Sequence, residues 1–299
     1  MNLIPNINDL QQKKIKCEKI TVVTAYDYIT SKICDESGVD ILLVGDSAGM
    51  VMLGYPSTIY VTMEEMMVYC RGVINGSKNS LIIADMPFGS YQFDESLAFL
   101  NATKFIKLGC HGVKLEGGLE VVPLIKKLTE YGIPVMGHIG LKPQTSLLWE
   151  GYKVQGRTTD SAISLHQQAI ELEKAGAFSL VLELVTSQVA EQISKSLTIP
   201  TIGIGSGSGC DGQVLVFHDL VGSYNNFKPK FVKRYLESLP LILSAMKNYV
   251  SDVKSGKFPD KDHSFFIAEE ELHEFNKYIN TNANVRRLNS EQIGSSGNA

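Results

Sequence analysis

A single (β/α)8 barrel is the fold class this sequence predicts, and three observations predict it. Short apolar, β-branched runs recur eight times along the 299 residues, most of them separated by segments of helical character. The composition does not shift until about the last 30 residues, which turn polar and of low complexity, so one large domain of barrel size accounts for the chain. No G-x-G-x-x-G follows the first run, which counts against the nearest competitor, a doubly wound open sheet.

Taken in order, residues 1–19 read as a short amphipathic helix with Lys13, Lys14 and Lys16 as a solvated cluster. The first strand is 20–27 (ITVVTAYD), apolar and then polar at its end, followed by a helical stretch that stops at Gly38. The second strand is 41–47 (ILLVGDS). Residues 49–60, rich in Gly, Pro, Ser and Thr, read as loop. Thr62 and Glu65 form a capping box that opens a helix, in which Met63, Met66 and Met67 read as core filling. The third strand is 80–87 (SLIIADMP), and Asp94 is placed to cap a helix running to Gly109. The fourth strand, 112–118 (GVKLEGG), is followed by a helix to Tyr131, and the fifth is 133–141 (IPVMGHIGL). An insertion over 142–159 carries the only tryptophan, Trp149, and a loop of that length inside a compact domain is usually functional. A helix over 160–176, the sixth strand 179–185 (SLVLELV), a helix to Leu197, the seventh strand 200–207 (PTIGIGSG) and the eighth 213–221 (QVLVFHDLV) complete the barrel pattern, and 231–250 reads as a closing helix. The domain reading is a barrel over 1–266 and an extension over 267–299, helical across 267–278 and disordered from Thr281.

Composition narrows function. A net charge of −4 leaves no electrostatic footprint for nucleic acid or an anionic membrane. The apolar runs are strand-sized and none reaches a membrane span, and residues 1–10 lack the basic flank and apolar core of a secretory signal. Five scattered cysteines with no C-x-x-C indicate neither a zinc ribbon nor a disulfide framework and suit a reducing cytoplasm.

In a barrel of parallel strands the chemistry gathers at the C-terminal strand ends. Those ends offer Tyr26 and Asp27 on the first strand, Asp46 and Ser47 on the second, Asp85 on the third, Lys114 and Glu116 on the fourth, His138 on the fifth and Glu183 on the sixth. Lys114 and Glu116 lie two apart, so they share one face of their strand while Val113 and Leu115 take the other. By itself such a pair is most simply a structural ion pair, and each aspartate by itself a turn former or helix cap. Several carboxylates from neighbouring strands cannot all ionise in a dry site without a cation, and oxygen-only donors suit a hard ion such as Mg2+ better than zinc. His138 in an apolar strand is commonly a satisfied core residue, and we give it only an accessory part. Glu183, flanked by Leu182 and Leu184, is a candidate general base if burial raises its pKa, or else a carboxylate tied to a basic neighbour. Residues 203–209 could cradle an anion through backbone N–H groups, and turn chemistry is an equal explanation.

The segments 44–50 (VGDSAGM), 84–91 (ADMPFGSY), 113–118 (VKLEGG), 137–141 (GHIGL), 151–157 (GYKVQGR), the glycines from Gly203 with Asp211-Gly212-Gln213, and 258–265 ending in His263-Ser264-Phe265 occur together and in this order. In these the chain resembles the 3-methyl-2-oxobutanoate (ketopantoate) hydroxymethyltransferase family, from about the first strand to Phe265. It departs from the family pattern at Ala48, Tyr69 and Ser206, where leucine, histidine and alanine are usual. The resemblance implies a barrel of the phosphoenolpyruvate/pyruvate type. It implies Mg2+ held by Asp46, Asp85 and Glu116, an α-keto acid contacted by Asp46, Ser47, Asp85 and Lys114, and Glu183 as proton acceptor. It further implies 5,10-methylenetetrahydrofolate as co-substrate, a cytoplasmic homo-oligomer, typically a decamer, and a place in pantothenate synthesis. Two rivals stand beside it: a Mg2+-dependent C–C lyase or mutase of the related barrel superfamily, and a non-catalytic barrel that binds keto acids.

Overall fold

The structure, a computed structural model, describes residues 6–148, 153–224 and 229–294. Among these residues eight parallel strands close into a barrel: β1 (Ile20–Thr24), β2 (Ile41–Val44), β3 (Leu81–Asp85), β4 (Gly112–Glu116), β5 (Val135–Gly140), β6 (Ser179–Glu183), β7 (Thr201–Ile204) and β8 (Gly212–Leu215). Each pairs in parallel with the next, and β8 returns to β1 with Ile20 beside Gly212. All eight expected strands are present, most of them shorter at their C-terminal ends, where the chain leaves the ladder to build the rim. The largest revision is at the eighth. It stops at Leu215, and residues expected to extend it form a helical turn, because the Phe217 N–H is donated to Thr24 Oγ1 at 3.0 Å and not to a strand neighbour.

The helices in chain order are α1 (Ile7–Ile15), α2 (Tyr28–Glu36), α3 (Ala48–Met52), α4 (Met63–Gly76), α5 (Glu95–Leu108), α6 (Val122–Glu130), α7 (Thr159–Lys174), α8 (Ser187–Ser196), α9 (Phe217–Leu220), α10 (Ser238–Lys254) and α11 (Glu269–Gly294). The start signals read in the sequence are realised: Thr62 and Glu65 make the capping box of α4, and Asp94 accepts from the Ser96 N–H at the start of α5. Gly109 ends α5 at φ 118°, a left-handed position that a side chain would disfavour. Residues 49–60 are more ordered than a loop reading expects, holding α3 and a single 3-10 turn over Thr58–Tyr60.

Two apolar layers hold the barrel. Alternate strand residues such as Val113, Leu115, Ile82 and Leu180 face outward and pack under the helices with Met66, Phe105 and Leu172. The other set, including Ile20, Ile41, Leu81 and Ile83, fills the barrel near its N-terminal end. Leu10 of α1 joins that inner layer at 3% exposure, so α1 closes the bottom of the barrel. This corrects the expectation of a solvated lysine cluster for Lys13 and Lys14, while Lys16 is exposed as expected. Lys13 pairs with Asp40, and Lys14 donates to the carbonyls of Ser194 and Ile199 and to Asp211 Oδ2 at 2.8, 3.0 and 2.8 Å. A helix laid across a barrel mouth places its polar edge against the strand and helix ends, which offer unpaired carbonyls.

The chain forms two compact units, Met1–Leu239 and Pro240–Ala299. The barrel lies in the first, and the composition boundary at 266 falls inside the second. There α11 is continuous to Gly294, past the point at Thr281 where composition predicts disorder. No proline or glycine interrupts the segment between Glu269 and Ile293.

Candidate active site

Strand register assembles the site. In the parallel ladder Asp85 of β3 lies beside Lys114 of β4, Glu116 lies beside His138 of β5, and Gly140 lies beside Glu183 of β6. Lys114, Glu116 and His138 are each no more than 5% exposed, and their outward neighbours Val113 and Leu115 are in the helix-facing layer. Asp46 and Ser47 come from the turn after β2. These residues and Glu183 line one cavity of about 380 Å³ at the C-terminal end of the barrel. The structure therefore brings together Asp46, Ser47, Asp85, Lys114, Glu116, His138 and Glu183, whereas of the strand-end residues on β1 Asp27 caps α2 and Tyr26 reaches the cavity only through Ser47.

Lys114 takes Asp85 as its close partner. Its Nζ lies 2.6 Å from Asp85 Oδ1 and 3.9 Å from Glu116 Oε1, so Lys114 and Glu116 are not a closed pair. The other Asp85 oxygen accepts the Asp46 N–H at 3.1 Å, and Gly45 leaves room for this: a Cβ there would stand 2.9 Å from Ser47 Oγ. Gln144, which carried no role in the sequence reading, ties the carboxylates to each other. Its Nε2 donates to Asp46 Oδ2 at 2.9 Å and to the Met86 carbonyl at 3.0 Å, and its own N–H donates to Glu116 Oε2 at 3.0 Å. The Tyr91 hydroxyl lies 2.8 Å from Gln144 Oε1 and accepts the Glu116 N–H at 3.2 Å. The signal for Gln144 was its position just inside the long insertion after β5. Nothing local announces that a glutamine in a loop reaches across a barrel mouth.

The electrostatics follow from crowding negative charge in a dry place. Burial, with the Asp85 charge in support, pushes Asp46 up to about 7 against the pull of Lys114. Burial likewise raises Glu116 well above the carboxylate range. Burial opposes the charge on Lys114, yet Asp85, Glu116 and Asp46 outweigh it and hold the ammonium above its usual range. His138 is held well below its usual value by burial and then by Lys114, so it is a neutral imidazole. Its Nε2 lies 2.8 Å from the Leu141 carbonyl, an acceptor, which assigns the proton to Nε2 and leaves Nδ1 without a hydrogen bond, 3.7 Å from Glu116.

Glu183 is pushed up to about 8, chiefly by burial, with Lys114 opposing. Its Oε2 lies 3.4 Å from His138 Nε2. The strand that presents it is strained immediately afterwards: Leu184 has φ 48°, a left-handed conformation uncommon for a branched apolar side chain. The bond from Gln155 N–H to the Leu184 carbonyl at 2.7 Å and that from Leu184 N–H to Ile204 hold this turn. Gly140 is required beside it, since a Cβ there would meet the Glu183 carbonyl at 2.2 Å.

The donor set suits a hard cation in chemistry: Asp46, Asp85, Glu116 and Glu183 line the cavity together with Lys114, and Asp85 Oδ1 has only its ion pair to Lys114. Among the described residues no three acidic, histidine or cysteine side chains converge closely enough to hold an ion, and Asp85 is instead closed on by the Lys114 ammonium. The glycine stretch after β7 is turn chemistry: Ser206 Oγ donates to the Leu182 carbonyl and accepts the Val185 N–H, and the space at Gly207 and Gly209 is filled by Ser187 and Glu191 of α8. Ser47 bonds the buried Tyr26 hydroxyl at 2.7 Å, and Tyr69 meets the Tyr26 ring edge-on. Trp149 lies outside the described residues.

The sequence pattern of the ketopantoate hydroxymethyltransferase family matches residues 5–261. A relative from Nitrosopumilus maritimus, a 3-methyl-2-oxobutanoate hydroxymethyltransferase, is 49% identical over 274 residues, 92% of this chain and 98% of its own. One of the same name from Carboxydothermus hydrogenoformans is 51% identical over 267 residues, 89% of this chain and 97% of its own. Among solved structures, a phosphoenolpyruvate phosphomutase from Streptomyces platensis superposes with a TM-score of 0.58 at 12% identity, covering 94% of this chain and 99% of its own. A 2,3-dimethylmalate lyase of the phosphoenolpyruvate mutase/isocitrate lyase superfamily gives 0.53 at 16%, covering 95% and 99%. These structural likenesses show a shared barrel.

Proposed function

The chain belongs to the ketopantoate hydroxymethyltransferase family, and we propose that its barrel cavity transfers a hydroxymethyl group from 5,10-methylenetetrahydrofolate to 3-methyl-2-oxobutanoate, giving 2-dehydropantoate. The observation that carries this reading is Glu183, a carboxylate with a side chain only 16% exposed and pushed up to about 8, in the same cavity as a buried, charged Lys114. Removal of a proton beside a carbonyl needs a base near neutral pKa and a fixed positive charge for the electrons it releases.

In this reading Asp46, Ser47, Asp85 and Lys114 contact the keto acid, and Glu183 takes the proton from its C3. Lys114 stands as a fixed charge facing the negative oxygens, its ammonium stabilised by its carboxylate neighbours and so unsuited to attack as a free amine. Leu43, Val181 and Val214 give the cavity an apolar floor for the isopropyl group. Asp46, Asp85 and Glu116 would hold Mg2+, which when bound supplies Lewis-acid polarisation of the keto oxygen. Gln144 orients two of these carboxylates. Neutral His138, 3.4 Å from Glu183, has the accessory part of fixing the base.

The residue range 1–266 carries this chemistry and 267–299 is an extension. A homo-oligomer, a decamer in the family's manner, is supported by α10, whose Leu241, Ile242, Leu243 and Met246 are all more than half exposed. The unpaired cysteines suit a cytoplasmic place in pantothenate synthesis. Among the described residues no helix is long and apolar enough to cross a membrane. The lyase and mutase alternatives gain only the fold from their structural likeness, whereas relatives about half identical carry the transferase name. Incubating the protein with both substrates, with and without Mg2+, tests the reading: 2-dehydropantoate should form only when all three are present, and no product under full conditions would reject it.

A further inference from the structure

The cavity has a second polar pole, unused by the chemistry above. Asp219 of α9 lines the mouth after β8, and in the closed strand order β8 lies across the barrel from β4, which carries Lys114 and Glu116. Asp219 is half-buried, and burial pushes its carboxyl up while Arg234 opposes that. Among the described residues its side chain has no hydrogen bond or ion pair. Arg234 does not close on it, giving one nitrogen to Glu237 Oε2 at 2.9 Å and another to the Tyr224 carbonyl at 3.1 Å. The cavity that Asp219 lines also has Val51, Val154, Val216 and Phe231 in its wall, with Lys230 as a cation besides Lys114. A half-buried carboxylate left without a protein partner is costly unless a ligand supplies donors.

We propose that Asp219 and this wall seat the pterin head of the one-carbon donor. The assignment rests on the functional reading above. A reduced pterin presents a 2-amino group and an adjacent ring N–H on one edge, a two-donor fork of the kind that a carboxylate, with two acceptor oxygens, binds bidentately. Its flat rings match an apolar wall, and the glutamate tail of the same donor carries carboxylates that Lys230 can meet. Charge also sorts the two ligands: the anionic keto acid is drawn to Lys114 and repelled by Asp219, so each end of the cavity rejects the other's ligand. The reacting carbon then lies between the two poles.

The test is direct binding to the full-length protein, with tetrahydrofolate and 3-methyl-2-oxobutanoate titrated separately, beside the KM for methylenetetrahydrofolate. Asp219→Asn turns one acceptor into a donor facing donors, and it should weaken tetrahydrofolate binding and raise that KM by roughly tenfold or more. Keto-acid affinity should move by less than about twofold. Asp219→Ala should show the same split with an unchanged melting temperature. Tetrahydrofolate binding equal to wild type in both variants, or equal losses for both ligands, would overturn the assignment. A wild-type protein that forms no product from methylenetetrahydrofolate would instead remove the functional reading beneath it.

Discussion

Glu183 and Asp85 show how little of a residue's role lies in its own chemistry. Glu183 is an ordinary glutamate in the sequence, and its raised pKa comes from burial at a strand end and is moderated by Lys114. Glu183→Gln keeps the shape and removes the base. We expect keto-acid binding within a few-fold of wild type and exchange of the C3 proton with deuterated solvent slowed by roughly 10²–10⁴-fold. Exchange at the wild-type rate, read by proton NMR, would take the base role away from it. Asp85 has two claimants, the Lys114 ammonium at 2.6 Å and a bound cation. Asp85→Ala should lower Mg2+ affinity by at least about tenfold in calorimetric titration, and an unaltered titration would contradict Asp85 as a ligand. Lys114 and Glu116, adjacent on one strand face and readable as a structural pair, are instead partners of different neighbours, because each side chain looks across to the adjacent strand.

At the scale of elements, period-two patterning and helix caps were legible because they are local: the outward faces of β4 and the starts of α4 and α5 stand where the residues put them. The role of α1 was not legible. Its lysines looked solvated because nothing in residues 7–15 says that the helix lies across a barrel end. Leu10→Ala should cost about 2–4 kcal/mol of unfolding free energy, the scale of a buried leucine deleted without collapse of its site. The KM for both substrates should stay unchanged, since α1 sits at the end opposite the cavity. A denaturation midpoint equal to wild type would show that α1 does not plug the barrel. Gln144 belongs here as well, since the turn after β5 fixes where its amide reaches.

For the whole molecule, concentrating carboxylates in one cavity makes stability depend on pH. Asp46 and Glu183 titrate at about 7 and about 8 in the folded chain. Their unfolded values are near 4, so across this window the folded state binds more protons than the unfolded one. This contribution to stability is therefore fully present below about pH 4, falls as pH rises, and levels off only above 7 for Asp46 and 8 for Glu183. His138 acts in the opposite sense, but only below its unfolded value of about 6.5. Metal-free protein should lose on the order of 1–3 kcal/mol between about pH 6.5 and 8.5, and saturating Mg2+ should flatten that slope by favouring the ionised carboxylates. Melting curves across that range, with and without Mg2+, would show a flat metal-free profile if the site carboxylates are not held protonated.

The sequence by itself determined the barrel, the order of its strands and the residues at their ends, because strand periodicity, caps and glycine stops act within a few residues of themselves. It also determined the family, through several motifs in order. Only the tertiary structure decided which charges meet. Closure of the barrel sets the register that puts Asp85 on Lys114 and Glu116 beside His138, and it brings Gln144 and Asp219 to the same mouth from loops 75 residues apart in the chain (219 − 144). Contacts between distant residues depend on how the sheet closes, and closure is a property of the whole set of strands that no single stretch encodes.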